Sequence, residues 1–304
     1  METPKSVGEA YDFISAGHLI AFGEYPDITA AFYNGDYSKT LREAQRDKHN
    51  WVLEGIRFKE GDRVLDVGSG WGPMLKIIKD RGGCGKGLTV SKKQADYCRR
   101  KGLDVLLQDW KEVNPGELGS YDGVVSIGAF EHFCSKKEYL NGRQADIYGD
   151  FFRFCHGVLR DGGRLYLQTM LLGSNSSGFG EIGNASAPGT PGRIMRVLLD
   201  LSSWWPPASR EQILKAAEPY FEFTEGSNGR KDYVQTFEEW YKGWREALKT
   251  MRVRTRFALL RLTNRDFRNV YGVLDEQLRG SYFQRAFAGS LLDHERMFFE
   301  KKSS

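Results

Sequence analysis

Apolar residues along the first half of the chain fall into short β-rich runs separated by stretches at helical spacing. Arg63-Val64-Leu65-Asp66-Val67-Gly68 reads as a buried strand ending in glycine. A helix through Met74-Leu75-Lys76-Ile77-Ile78-Lys79 follows and stops at Gly82-Gly83. Gly87-Leu88-Thr89-Val90 is a second strand, and Ser91 is placed to cap a helix through Gln94, Tyr97 and Arg100. Residues 104–109 and 123–128 give strands three and four. A helix through Phe151, Phe154 and Val158 then stops at Asp161-Gly162-Gly163, and residues 165–169 form strand five. This alternation predicts an α/β fold, a parallel sheet with helices on both faces. Two later runs, Phe221-Glu222-Phe223-Thr224 and Met297-Phe298-Phe299-Glu300, are expected to close the sheet edge.

The pattern breaks after the fifth strand. Residues 173–192 are rich in Gly, Ser and Pro, cannot build a core, and read as a mobile loop serving as a lid. An apolar stretch from Ile194 to Trp205 ends at Pro206-Pro207. From Thr236 to Arg261 the spacing predicts a helix, with Trp240, Trp244, Leu248 and Met251 on one stripe. Arg245, Lys249, Arg252 and Arg256 fall on the adjoining stripe. That basic face has two readings: a solvated side of a packed helix, which we favour, or a surface that approaches membrane lipid head groups at the periphery.

Composition removes several function classes. The 304 residues are 40% hydrophobic and 28% charged, ordinary globular usage that argues against disorder. A net charge of +4 is too slight to suggest nucleic-acid binding. No apolar run reaches the roughly 18 residues of a membrane span, and Met1-Glu2-Thr3-Pro4-Lys5 does not open a signal peptide. Cys84, Cys98, Cys134 and Cys155 form no Cys-x-x-Cys pair, so a reduced, cytoplasmic protein without a metal site is expected.

The strongest chemical signal is Val64-Leu65-Asp66-Val67-Gly68-Ser69-Gly70-Trp71-Gly72, at the turn after the first strand. In doubly wound sheets, ligands bind beyond the carboxyl ends of the strands. A dinucleotide site would read G-x-G-x-x-G, with an acid at the end of strand two. This turn reads G-x-G-x-G, and strand two ends in Thr89-Val90-Ser91. Both facts count against a nicotinamide-dependent oxidoreductase and suit a smaller ligand such as S-adenosylmethionine.

The string resembles motif I of class I S-adenosylmethionine-dependent methyltransferases. The chain more specifically resembles the cyclopropane-fatty-acid and mycolic-acid cyclopropane synthase family. The matching stretches are residues 40–45, 65–72, 87–95 and 125–133, with a thinner match at 233–240. The resemblance implies a Rossmann-like seven-stranded, mostly parallel sheet with helices on both faces and a helical lid. As a single domain, the chain would carry an N-terminal helical cap (1–58), a cofactor-binding core (59–170), an insertion and lid (171–260), and a C-terminal helix and edge strand (261–304).

The resemblance also implies a site. Gly68, Gly70, Trp71 and Gly72 would approach the methionine part of S-adenosyl-L-methionine, with Asp66 organising the turn. Thr89, Val90, Ser91 and Gln94 would bind the ribose. Asp109, Trp110 and Ile127 would flank the adenine, and Tyr33 and Asn34 would close over the cofactor. Glu131 and Tyr233 would stand in the bicarbonate site where the family removes a proton, and His132 is the nearest imidazole. Where the family has cysteine and histidine, this chain has Gly35 and Gln168, so a degenerate bicarbonate site is expected. The expected reaction is methyl transfer to a fatty-acyl or other apolar acceptor, giving S-adenosyl-L-homocysteine. The alternatives are a small-molecule C-, N- or O-methyltransferase of the same fold and a non-catalytic lipid binder.

Overall fold

The computed structural model describes residues 26–176, 187–202, 205–263, 276 and 278–303. In chain order these form α1 (Leu41–Gly55), β1 (Arg63–Val67), α2 (Pro73–Asp80), β2 (Cys84–Thr89), α3 (Lys92–Arg100), β3 (Asp104–Leu107) and α4 (Pro115–Leu118). Then come β4 (Tyr121–Ile127), α5 (Lys136–Leu140), α6 (Gln144–Val158), β5 (Leu159–Leu172), α7 (Pro191–Ser202) and α8 (Arg210–Ala217). The chain continues through β6 (Phe221–Asn228), α9 (Arg230–Lys249), α10 (Met251–Thr263), α11 (Tyr282–Ala288) and β7 (Leu292–Lys301). The seven strands lie in the order β3-β2-β1-β4-β5-β7-β6. The first five pair in parallel, and β7 runs antiparallel between β5 and β6.

Successive strand residues face opposite sides, so each strand feeds two cores. Val64, Val125, Tyr166 and Phe298 meet Val52 and Leu53 of α1 and Ile78 of α2. Leu65, Val124, Leu165 and Phe299 meet Phe151 and Phe152 of α6 and Ile213 of α8. Burial on both faces explains why these strands read as continuous apolar runs. A third core joins α7, α9 and α11 above Met170 and Leu292, with Phe237 and Phe283 stacked at 4.9 Å.

Local chemistry fixes the helix starts. Thr40 and Glu43 form a reciprocal capping box at α1, and the Ser91 hydroxyl accepts from the Gln94 N–H at α3. Several expectations shift. The late runs do close the sheet, but the last strand in the chain lies inside it and β6 is the edge. The Asp161-Gly162-Gly163 stop falls within β5, which pairing with β4 and β7 extends at both ends. The single helix expected over 236–261 is two, divided at Thr250. Trp240 is buried on the packed stripe, whereas Met251 is 74% exposed, because the stripe's apolar support ends with α9; the Leu248 side chain lies outside the described residues. Of the expected cap, residues 1–25 lie outside the described residues, as do 177–186 of the expected lid. No helix among the described residues is long and apolar enough to cross a membrane.

Candidate active site

At the carboxyl ends of β1, β2 and β4 lies a cavity of about 380 Å³. Its floor is the bend after β1. Gly68 has φ 88°, and a Cβ there would sit 2.3 Å from the Ala129 Cβ, so only glycine lets the β1 and β4 loops come together. Gly68, Gly70 and Trp71 all line the cavity. Gly72 does not: at φ 75° it precedes α2, and a Cβ would meet Leu103 Cδ1 at 2.6 Å. Its role is helix packing.

Of the residues expected near the ribose, Thr89, Val90 and Gln94 line the cavity and Ser91 does not. Ser91 is spent on the α3 cap. The Thr89 hydroxyl donates to Gln94 Oε1 at 2.9 Å, which fixes the amide orientation with Nε2 on the side of Gly70. Asp109, Trp110 and Ile127 also line the cavity. Trp110 is held by Phe133, Phe151 and Phe154 at 5.2, 5.5 and 5.9 Å.

Asp66, Asp27 and His49 share this wall. Asp66 is buried, and its carboxylate makes no hydrogen bond to a described residue. Burial pushes its pKa up to about 7; the Asp27 charge adds to this and Lys48 opposes it. Asp27 is saturated. Its Oδ2 accepts from Lys48 Nζ at 2.6 Å and meets His49 Nε2 at 2.9 Å, while Oδ1 accepts from the Thr29 hydroxyl at 2.7 Å. Although burial opposes it, the Lys48 and His49 partners hold the Asp27 carboxyl well below its usual range. Sequence reasoning missed this clamp. Its signal was Gln45, Lys48 and His49 sharing the inward stripe of α1 with Ala44 and Val52.

Glu131 sits in a 3₁₀ turn (Phe130–His132) directly after β4, 1% exposed and lining the cavity. Burial raises its pKa to about 7; its own and the Met170 backbone N–H groups and the Thr169 hydroxyl, at 2.9 Å, hold it from rising further. Tyr233 and His132 line the same cavity, Tyr233 stacked on Phe237 at 4.7 Å. Three expected residues stand elsewhere. Gln168 is buried below the site, accepting from the Tyr166 hydroxyl at 2.9 Å and donating to the Ala30 carbonyl at 3.3 Å. Tyr33 is buried against Ala31 and Ala44, and Asn34 is exposed at φ 51°. None of the three lines the cavity.

Comparison with known proteins places this geometry. Cyclopropane mycolic acid synthase 2 of Mycobacterium leprae is 32% identical over 170 residues, 52% of this chain and 49% of its own length. The chain thus spans about half the length of that relative. The solved structure of cyclopropane synthase MmaA2 from Mycobacterium tuberculosis matches with a TM-score of 0.76 at 23% identity, over 98% of this chain and 99% of its own. Mycolic acid cyclopropane synthase CmaA1, solved with SAH and CTAB, matches at 0.75 and 23%, over 97% of each chain. At these identities the structures establish a shared class I Rossmann-like methyltransferase fold. The model of the family described as mycolic acid cyclopropane synthetase matches residues 3–262, through α1, the parallel strands and α9. The chain belongs to that family.

Proposed function

We propose that this protein transfers a methyl group from S-adenosylmethionine to an apolar, lipid-like acceptor and releases S-adenosylhomocysteine. The observation that carries the reading is one cavity walled by two buried acids, Asp66 and Glu131, around a glycine bend. These residues fit the cofactor. A buried carboxylate without a partner suits a cationic group, and Gly68 admits a ligand against the main chain. SAH in the CmaA1 structure supports the same choice. Bound there, the cofactor supplies an electrophilic methyl group on a positively charged sulfur.

Asp66 would face the ammonium end, and Gln94, oriented by Thr89, would donate to the ribose. Trp110 would offer an aromatic face to the adenine. Glu131 holds the opposite wall. The Thr169 hydroxyl bonds its Oε2, and the carboxylate, with Oε1 on the side of Gly128, would take the proton that the methylated acceptor must lose. Gly35 has no side chain to hold a bicarbonate ion, and Gln168 bonds the Tyr166 hydroxyl and the Ala30 carbonyl from outside the cavity lining, which supports proton removal without that ion. Glu131 would then be the proton acceptor itself. Ile28, Met170 and Phe133 give the wall an apolar patch, which suits an acyl chain. The described helices that follow β5, α7 and α9, would cover the cavity as a lid. Titration calorimetry tests the reading: it predicts uptake of S-adenosylmethionine and none of NADH, and the opposite preference would overturn it.

A further inference from the structure

We infer that Arg296 is a positioning residue: it holds the 27–31 segment against the start of α9 and so fixes the two where they meet the cavity. The inference rests on the reading of that cavity as the methyl donor's site. Ile28 and Thr29 line the cavity, as does Tyr233 on α9. Arg296 does not line it and is 1% exposed. Its guanidinium joins the two. Nη1 donates to Asp232 Oδ2 at 2.9 Å, one residue before Tyr233. Nη2 donates to the Ala31 carbonyl at 2.7 Å, two residues after Thr29. The same group lies over the Phe32 ring, 5.0 Å from its centroid.

Residues 27–31 belong to no helix or strand, so side chains satisfy their backbone. Gln168 stands opposite Arg296 in the β5–β7 register, on the same face of the sheet, and donates to the Ala30 carbonyl at 3.3 Å. Two facing donors thus take two consecutive carbonyls. Thr236, one turn after Asp232, accepts from the Ala31 N–H at 3.0 Å and donates to the Asp232 carbonyl at 2.7 Å. At the other end of the segment, Gln45 donates to the Thr29 carbonyl at 2.9 Å and Lys48 to Asp27 at 2.6 Å. What Arg296 adds is a planar fork that serves a carboxylate and a carbonyl at once, which a lysine's point charge does not reproduce. Because the pair is buried, loss of the guanidinium leaves Asp232 without its counter-charge and Ala31 without its donor. The segment and the first turn of α9 would then lose their hold on each other.

The test applies two readouts to Arg296→Met in the full chain: calorimetric titration with S-adenosylmethionine, and amide hydrogen exchange of the 27–32 peptide without cofactor. S-adenosylmethionine should bind about tenfold more weakly, and the peptide should exchange about tenfold faster. Melting temperature should fall too, so further variants separate position from stability. Phe152→Ala, in the core under α6, should lower the melting temperature and leave both readouts at wild-type values. Arg296→Met with Asp232→Asn removes both charges and should recover part of the melting temperature and neither readout. Arg296→Lys keeps a charge for Asp232 without the fork, and should fall between wild type and Arg296→Met. If Arg296→Met does not fold, the lysine and double variants decide by the same readouts. Wild-type values in the arginine variants, or readouts that simply follow melting temperature across the set, overturn the inference. A wild-type chain that takes up no S-adenosylmethionine overturns the reading of the cavity, and the exchange rates still decide whether Arg296 holds the segment.

Discussion

Glu131 and Asp66 are carboxyl groups that burial has moved to about 7, and each makes a different demand on pH. Glu131 must be ionised to accept a proton, so turnover should fall as pH drops below about 7. Thr169→Val removes a hydrogen bond to the ionised form and should move that acid limb to higher pH, read from the pH profile of S-adenosylhomocysteine release. Glu131→Gln should cost about 10²- to 10⁴-fold in turnover with cofactor affinity unchanged. Asp66 works on stability. Its folded pKa of about 7 lies above the unfolded value near 3.9, so its contribution is complete below the unfolded value and is lost as pH rises through 7. Asp66→Asn should therefore raise the melting temperature at pH 8 and leave it unchanged near pH 3, while weakening S-adenosylmethionine binding about tenfold or more. The positions of both acids were legible, since Asp66 lies near the end of β1 and Glu131 in the turn after β4, both at the carboxyl edge of the sheet. The Asp27–Lys48–His49 clamp was not, since its partners sit 21 and 22 positions apart and only the path of the 26–29 segment joins them. Gln168 misled for a related reason. Its strand and depth were right, but the Tyr166 hydroxyl and Ala30 carbonyl claim its amide.

At the scale of elements, the strands were legible in kind and less so in extent. β1 and β4 are buried on both faces, and a run of apolar residues says as much. The length of β5 depends on nine paired positions with β7, more than a hundred residues later, which no local pattern encodes. The division of the late helix at Thr250 was hidden in the same way, because the arginines of α10 fit a helical wheel as well as those of α9 do. The aromatic excess largely belongs to packing: Phe152 alone meets Phe130, Phe221 and Phe299 at 5.9, 6.0 and 5.5 Å. Phe152→Ala should cost about 3–5 kcal/mol in denaturant unfolding. Phe152 does not line the cavity, so cofactor affinity in the folded fraction should be unchanged.

Across the whole molecule, the parallel half of the sheet builds the glycine-bend wall of the cavity and the antiparallel end carries the core of α7, α9 and α11. Tyr233 at the start of α9 and Met170 on β5 bring that apolar core to the edge of the same cavity. The site thus lies between a polar, acid-bearing wall and an oily one, which suits a charged methyl donor meeting an uncharged acceptor. The most direct measurement is transfer of label from methyl-labelled S-adenosylmethionine to a mixed fatty-acyl and phospholipid extract, in buffer stripped of carbonate. Label should enter the lipid phase in step with S-adenosylhomocysteine and be lost with Glu131→Gln. Label that stays out of the lipid phase, or enters it only when carbonate is restored, would contradict the proposed chemistry.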